Sequence, residues 1–255
     1  MFVFGEAEPR TVNGMIVLGH MNKNRAVRTE KGERQALSKP SPRVVARVMR
    51  VLAREMTGME LPAVEKISEA QAENPFLVLI ATLLSARTQD ATTHAASTRL
   101  FRRARTPQSL AKLPVLEIER LIFPVSFYRN KARHVKACCE MLVSEFGGRV
   151  PSTMAELVRL PGVGRKTANL VLILGFKSLL NICVDTHVHR ISNRLGWVRT
   201  TQPDETEQAL YKATARRWWP YINLYLVTWG QNVCRPVYPR CGECAIAGDC
   251  RRIGA

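Results

Sequence analysis

Leu160-Pro161-Gly162-Val163-Gly164-Arg165-Lys166-Thr167-Ala168-Asn169 separates two stretches of helical spacing by a tight, glycine-bearing turn. Pro161 disfavours helical backbone at Leu160 and so closes the first helix. Gly162 supplies the positive φ that a sharp reversal needs, and Gly164 lets the backbone approach another molecule with no Cβ in the way. The second helix then begins with unsatisfied N–H groups and the positive end of its dipole. Together with Arg165 these make a site for an anion such as a DNA phosphate. A bare Gly-x-Gly turn is more often an ordinary αα-hairpin, so the rest of the chain has to decide.

Outward from this turn, helical spacing runs through nearly every segment from Arg43 onward, and no run alternates strictly over six or more residues. The fold class is therefore all-α. Asn74-Pro75 sets an N-cap and a first-turn proline ahead of Phe76 to Leu84, a run apolar all round, which predicts a helix buried in the middle of a bundle. Further helices are predicted over 44–57, 89–103, 107–111, 115–123, 129–146, 153–159, 165–175, 186–195 and 204–217. Residues 1–40 show scattered charge and no helical period up to the Lys39-Pro40-Ser41-Pro42 break, and read as a mobile basic tail.

The chain has 255 residues, 46% of them hydrophobic, enough core-forming side chains for one large domain or two small ones. Lys and Arg number 38 against 21 Asp and Glu, a formal net charge of +17. Such an excess argues for a polyanionic partner, nucleic acid first and an anionic membrane surface second. The tail holds seven basic and four acidic residues, so most of the excess belongs to the folded part. Between Arg99 and Lys136 ten basic residues stand against Glu117 and Glu119 alone. The longest strongly apolar stretch, Phe76 to Leu84, falls far short of the ~20 residues a membrane span needs. The start, Met1-Phe2-Val3-Phe4-Gly5-Glu6, has no secretory pattern, so the chain is expected in the reducing cytoplasm, associated with the nucleoid through DNA. There its seven cysteines read as metal ligands or free thiols.

Three sets of residues carry chemistry. Lys166 follows the turn, near a helix N-terminus and beside Arg165, where the positive field favours the neutral amine that a nucleophile needs; the plainer role is a phosphate contact. Asp185, in Val184-Asp185-Thr186-His187-Val188-His189-Arg190, opens another helix, and an N-cap is its first role. The two roles of Asp185 are compatible, because a capping carboxylate is rigid and kept ionised by the N–H groups it accepts. Cys234, Cys241, Cys244 and Cys250 are spaced Cys-x6-Cys-x2-Cys-x5-Cys among prolines and a glycine, and could bind a tetrahedral metal or an iron-sulfur cluster. Zinc sites more often use two close pairs, and one close pair here tilts the reading to the cluster. Cys138, Cys139 and Cys183 lie in apolar contexts and read as buried small hydrophobes.

Leu160 to Asn169, Val184-Asp185-Thr186-His187 and the four-cysteine terminus, in this order, closely resemble the endonuclease III family of base-excision-repair DNA glycosylases, over about Pro75 to Cys250. The resemblance implies a helix-hairpin-helix glycosylase fold. A six-helix barrel domain would cover 68–179, and a second helical domain, from 41–67 and 180–255, would carry a [4Fe-4S] cluster on Cys234, Cys241, Cys244 and Cys250. It implies a monomer acting on double-stranded DNA with a damaged or abasic nucleotide, which is flipped into the cleft between the domains. Lys166 would be the Schiff-base nucleophile and Asp185 the catalytic carboxylate of a bifunctional glycosylase and AP lyase that removes oxidised pyrimidines. Gly162, Val163, Gly164 and Arg165 would meet DNA, as would Arg235 and Arg240 in the loop between the first two cluster cysteines. Three departures stand out. One extra residue lies between Lys166 and Asp185, around Lys177 to Asn181. Arg87, in Leu84-Ser85-Ala86-Arg87-Thr88-Gln89-Asp90, replaces the frequent glutamine that fills the space left by the flipped nucleotide. Phe127 replaces the frequent wedge leucine, and an aromatic wedge can stack where leucine only packs; simple core packing is its other role. Two competing functions are a monofunctional mismatch or alkyl-base glycosylase, with Lys166 on phosphate and Asp185 activating water, and a DNA-binding module without catalysis.

Overall fold

The computed structural model describes residues 40–70 and 74–255. The tail expected over 1–40 lies outside the described residues, Pro40 excepted. The helices are α1 (Pro42–Glu55), α2 (Ala63–Ala70), α3 (Pro75–Ser85), α4 (Asp90–Arg103), α5 (Pro107–Ala111), α6 (Val115–Ile122), α7 (Tyr128–Glu145), α8 (Met154–Leu157), α9 (Arg165–Phe176), α10 (Thr186–Arg194), α11 (Pro203–Ala213) and α12 (Trp219–Asn232). No strand occurs among the described residues.

The Asn74-Pro75 signal works as expected. Asn74 Oδ1 accepts from the N–H groups of Phe76 and Leu77 at 3.0 and 3.3 Å, and every residue from Phe76 to Leu84 is buried. At ~1.5–3 kcal/mol for each fully buried large apolar side chain, this helix is the main source of cohesion in its half of the molecule. It packs closely on α9 at Gly175, where a Cβ would stand 2.9 Å from the Pro75 backbone. Ser41 likewise caps α1, so the Lys39 to Pro42 break is a helix start.

Two apolar cores form. The first surrounds α3 with side chains of α2, α4, α6, α7 and α9. The second joins α1 to α10 and α12, around Met49, Leu52 and Trp229. The chain passes between them at Ile182 to Val184, where Cys183 faces the first core and its two neighbours the second. The expected boundary at 67/68 falls inside α2, whose Val64 and Ile67 both bury in the first core.

Helices α2 and α12 are absent from the sequence-based prediction. Helix α2 is short and mixes Glu, Lys and Ser with its apolar positions. Its apolar face spans only two turns, too short for a sustained period to mark it, whereas helix α12 is apolar on most sides behind two tryptophans and has no clean amphipathic stripe. Helices α8 and α11 end earlier than predicted, at Leu157 and Ala213. Cys138, Cys139 and Cys183 are fully buried, and burial pushes all three thiols up, keeping them neutral.

Candidate active site and nucleic-acid interface

The hairpin turns as its sequence suggests. Gly162 has φ +79, and an added Cβ would meet His134 of α7 at 2.9 Å, so both backbone and packing require glycine there. Gly164 has open space where a Cβ would be and serves as N-cap of α9 with no side chain capping the helix. The first-turn N–H groups of α9 are thus presented outward. Val163 points the other way: its side chain is buried and its N–H donates to the Leu160 carbonyl at 3.0 Å. The Arg165 guanidinium grips Glu207 of α11 with two hydrogen bonds of 2.9 and 2.8 Å. Its charge is thereby matched, and α9 and α11 are tied together just behind the turn.

Lys166 and Asp185 share one cleft of about 380 Å³, within the range of small-ligand sites. Its walls come from α2, the end of α3, the starts of α4, α9 and α10, and α12. Lys166 lies in the first turn of α9. Asp185 caps α10, its Oδ1 accepting from the N–H groups of His187 and Val188, both at 2.9 Å. The segment leading to Asp185 is held from both sides: the Ile182 N–H donates to the Tyr211 hydroxyl at 3.0 Å, and Asn223 donates to the Cys183 carbonyl at 3.1 Å. One carboxylate oxygen is therefore fixed by the helix, and the other has no hydrogen-bond donor among the described residues. His187 lines the same cleft, and burial holds its imidazole below the usual histidine range, so it is neutral at pH 7. The loop in which an extra residue is expected displays Leu179 and Leu180 to solvent.

Arg87 lines the cleft and Phe127 stands outside it; both are exposed, and both have left-handed backbones, with φ 53 and 57. Phe127 is 61% exposed. Tyr128 takes the inward side, packing edge-on against Phe123. Sequence reading gave no role to the residue that holds these two turns. Lys131 is 8% exposed, and its Nζ donates to the carbonyls of Leu84 and Ala86 at 2.7 and 2.6 Å and to the Thr88 hydroxyl at 3.0 Å. That hydroxyl accepts in turn from the Ser126 N–H at 3.2 Å. One ammonium thus closes the C-terminus of α3 and clamps the Arg87 turn to the Phe127 turn. Burial and the nearby charge of Lys166 push Lys131 down to about 8, which leaves it protonated at pH 7. Lys131→Met should leave the buried Leu84 carbonyl without this donor, while the Ala86 carbonyl keeps the Thr88 hydroxyl and that hydroxyl keeps the Ser126 N–H. At ~1–3 kcal/mol for one unsatisfied buried group, urea unfolding is expected to register a loss of about 2 kcal/mol.

The basic run from Arg99 to Lys136 is spent partly inside the fold. Arg99 donates to the carbonyls of Leu121 and Phe123, Arg103 pairs with Glu117, and Lys136 bonds the Ala111 carbonyl. Arg235 and Arg240 in the cysteine loop are exposed, as are Arg251 and Arg252 just after Cys250.

Cys234, Cys241, Cys244 and Cys250 line one apolar cavity together with Ile191, Leu195 and Trp229. Arg194, 6% exposed, donates to the carbonyls of Arg235 and Pro236 at 2.7 and 2.9 Å and approaches Cys234 Sγ at 3.4 Å. Arg190 donates to the Cys234 carbonyl at 2.8 Å. The Arg252 N–H approaches Cys250 Sγ at 3.4 Å, and Arg47 of α1 pairs with Asp249. Cations and N–H groups directed at sulfur suit an anionic thiolate-bound group. Among the described residues no three Cys, His, Asp or Glu side chains converge as a single bound ion needs. The four sulfurs line that one cavity, and four thiolates are a ligand set that could hold an iron-sulfur cluster. Arg190 and Arg194 escaped the sequence reading, although their spacing of four on α10 puts both on one face.

Comparison with known proteins agrees with this geometry. Residues 80–216 match the HhH-GPD superfamily of base excision DNA repair proteins. Endonuclease III of Thermotoga maritima is 50% identical over 177 residues, which cover 69% of this chain and 83% of that protein. Endonuclease III-like protein 1 of Gallus gallus is 44% identical over 171 residues, 66% of this chain and 61% of the relative. Among solved structures, a trapped endonuclease III-DNA covalent intermediate superposes with a TM-score of 0.73 at 34% identity, covering 83% of this chain and 96% of that one.

Proposed function

The chain belongs to the endonuclease III family of base excision DNA repair proteins, and from that premise we propose how its residues carry out the family's reaction. It is a bifunctional DNA glycosylase and AP lyase acting on double-stranded DNA. The observation that carries the assignment of roles is the shared cleft of Lys166 and Asp185, reached from two helices that the fold fixes independently.

The damaged nucleotide, an oxidised pyrimidine, enters the cleft flipped out of the duplex. As the N-glycosidic bond breaks, its electron pair leaves with the base and positive charge develops on the sugar. The free oxygen of Asp185 stabilises that charge. The neutral amine of Lys166 attacks C1′, gives up one of its two protons to O4′ as the C1′–O4′ bond breaks and the sugar ring opens, and is left as a protonated imine. The imine acidifies the C2′ proton; its removal expels the 3′ phosphate, and water then releases the lysine. Gly164 and the N–H groups at the start of α9 hold a phosphate of the damaged strand, with Gly162 setting the turn and Arg165 bracing it. Arg87 and Phe127 enter the duplex as plug and wedge, held in one register by Lys131.

Cys234, Cys241, Cys244 and Cys250 would hold a [4Fe-4S] cluster. Its chemistry there is structural, cross-linking the C-terminal loop so that Arg235 and Arg240 are presented to DNA phosphates. We read the two cores as two domains that clasp the cleft, working as a monomer on the nucleoid in the cytoplasm; no helix among the described residues is long and apolar enough to cross a membrane.

The experiment is borohydride trapping of the protein on a duplex carrying thymine glycol. A covalent protein-DNA adduct is the expected product. A protein that releases the base but is never trapped would be a monofunctional glycosylase, with Lys166 reduced to a phosphate contact.

A further inference from the structure

Glu65 lines the wall of the same cleft as Lys166 and Asp185, and nothing in the mechanism above uses it. It lies in the first turn of α2 and is only 9% exposed. No N–H or O–H among the described residues donates to its carboxyl, whose surroundings act on it by burial and by the charges of Glu69 and Lys177. A carboxyl mostly withdrawn from water and bonded to no protein donor is costly; its oxygens are not sealed off from solvent, and its place in the cleft wall makes it informative.

The titratable and charged groups around it are Glu69 one turn along α2, Lys177 and Lys166 at the two ends of α9, Asp90 at the start of α4, and Arg87, Asp185 and His187 on the cleft's other walls. Burial pushes the Glu65 carboxyl up to about 7, Glu69 adds to the rise and Lys177 opposes it. Near neutral pH a large share of Glu65 therefore carries its proton. Three other donors that line the cleft are committed elsewhere, Asn223 to the Cys183 carbonyl, Gln231 to Asp90 and Ser85 to the Thr82 carbonyl, and among the lining donors left, Arg87, Gln89, Thr186 and Lys166, the first two are exposed on its rim.

We propose that Glu65 contacts the flipped base, its protonated carboxyl donating a hydrogen bond to a ring carbonyl oxygen of the oxidised pyrimidine. This rests on the reading of the cleft as the base-accepting site. Oxidised pyrimidines keep ring carbonyls that would be costly to bury unpaired. When the glycosidic electrons move onto the departing base, part of that charge reaches a carbonyl oxygen, so a donor there strengthens its bond as the barrier is crossed. The carboxyl keeps its proton throughout. Glu65 thus selects for a carbonyl-bearing base and assists its departure, with no part in the imine chemistry that follows.

The test compares full-length wild type, Glu65→Leu and Glu65→Gln in single turnover on two duplexes that differ only at the lesion, thymine glycol in one and a preformed abasic site in the other. The leucine variant is expected to lose roughly tenfold more in base release than in strand cleavage at the abasic site, where no base is present to contact; tenfold is the scale of one hydrogen bond. Glutamine keeps a donor that does not titrate. It should restore base release and remove the decline that wild type shows as pH rises through about 7. Equal losses on both duplexes in both variants would assign Glu65 to packing and overturn the contact. A wild-type base-release rate that climbs through pH 7, flattened in the glutamine variant, would make the ionised carboxylate the working form and overturn the donor role. A wild type inactive on both duplexes would instead sink the reading of the cleft, and the contact with it.

Discussion

Lys166→Ala is expected to give no borohydride-trapped adduct and to slow base release at least ~10³-fold, about 4 kcal/mol of barrier. The large effect follows from an amine that serves the reaction and nothing else. Lys166 is exposed in the first turn of α9, where alanine is the better helix former. Its side chain makes no hydrogen bond or ion pair among the described residues, and the carbonyl that accepts from the Cys183 thiol belongs to the backbone. The variant should therefore unfold at the same urea concentration as wild type. Its affinity for an undamaged duplex should fall only by one phosphate-range charge at most. Lys166→Arg separates the two roles, because arginine keeps the charge and cannot be a neutral nucleophile at any working pH. Arginine that restores binding but no adduct leaves Lys166 as the nucleophile. An adduct surviving in both variants would mean another amine does the attack, and Lys131, the nearest buried amine described, is already committed to three acceptors.

Which parts of this design a sequence can carry depends on the range of the interactions involved. Asn74-Pro75 and the apolar run behind it were readable because a cap and a fully buried helix are local facts: the cap bonds span two and three residues. The Gly162 turn and the capping role of Asp185 were readable for the same reason. The close group of four cysteines needed only composition and spacing to suggest that they act together. Helix α12 was not readable, because a helix apolar on most sides has no stripe to mark it, and Trp218 and Trp219 ahead of Pro220 look as much like loop as like helix start. Lys131 was out of reach in principle. Its three acceptors lie 43 to 47 positions away, and a lysine in a basic run looks like surface until the fold brings those carbonyls over it. Glu65 is hidden in the same way: the helices packed against α2 are α3, α4 and α9, which meet only in the folded chain. Arg165 was legible only in part: its local setting says phosphate, and its pairing with Glu207 on α11 lies 42 positions away.

Asp185 allows its two roles to be measured apart. Asparagine and aspartate are nearly equal as N-caps, so Asp185→Asn should still accept from the N–H groups of His187 and Val188 and leave stability within a few tenths of a kcal/mol. Its amide has no charge to offer the developing sugar cation, and base release should fall by roughly 10²–10³, the usual cost of removing one electrostatic stabiliser from a reaction centre. Asp185→Ala removes cap and charge together. It should show the same loss of rate plus a loss of about 1 kcal/mol on urea unfolding. Strand cleavage at a preformed abasic site, where the glycosidic bond is already broken, should suffer less than base release in both variants. If Asp185→Asn stays within threefold of wild type on thymine glycol, the carboxylate is only a cap, and the charge that opposes the sugar cation must come from elsewhere in the cleft. Glu65 is a poor replacement there, because burial pushes its carboxyl up to about 7 and leaves only part of it ionised near neutral pH. Rate and stability are thus expected to respond to different atoms of one side chain: Oδ1 holds α10, and the proposed mechanism sets the unbonded oxygen against the substrate.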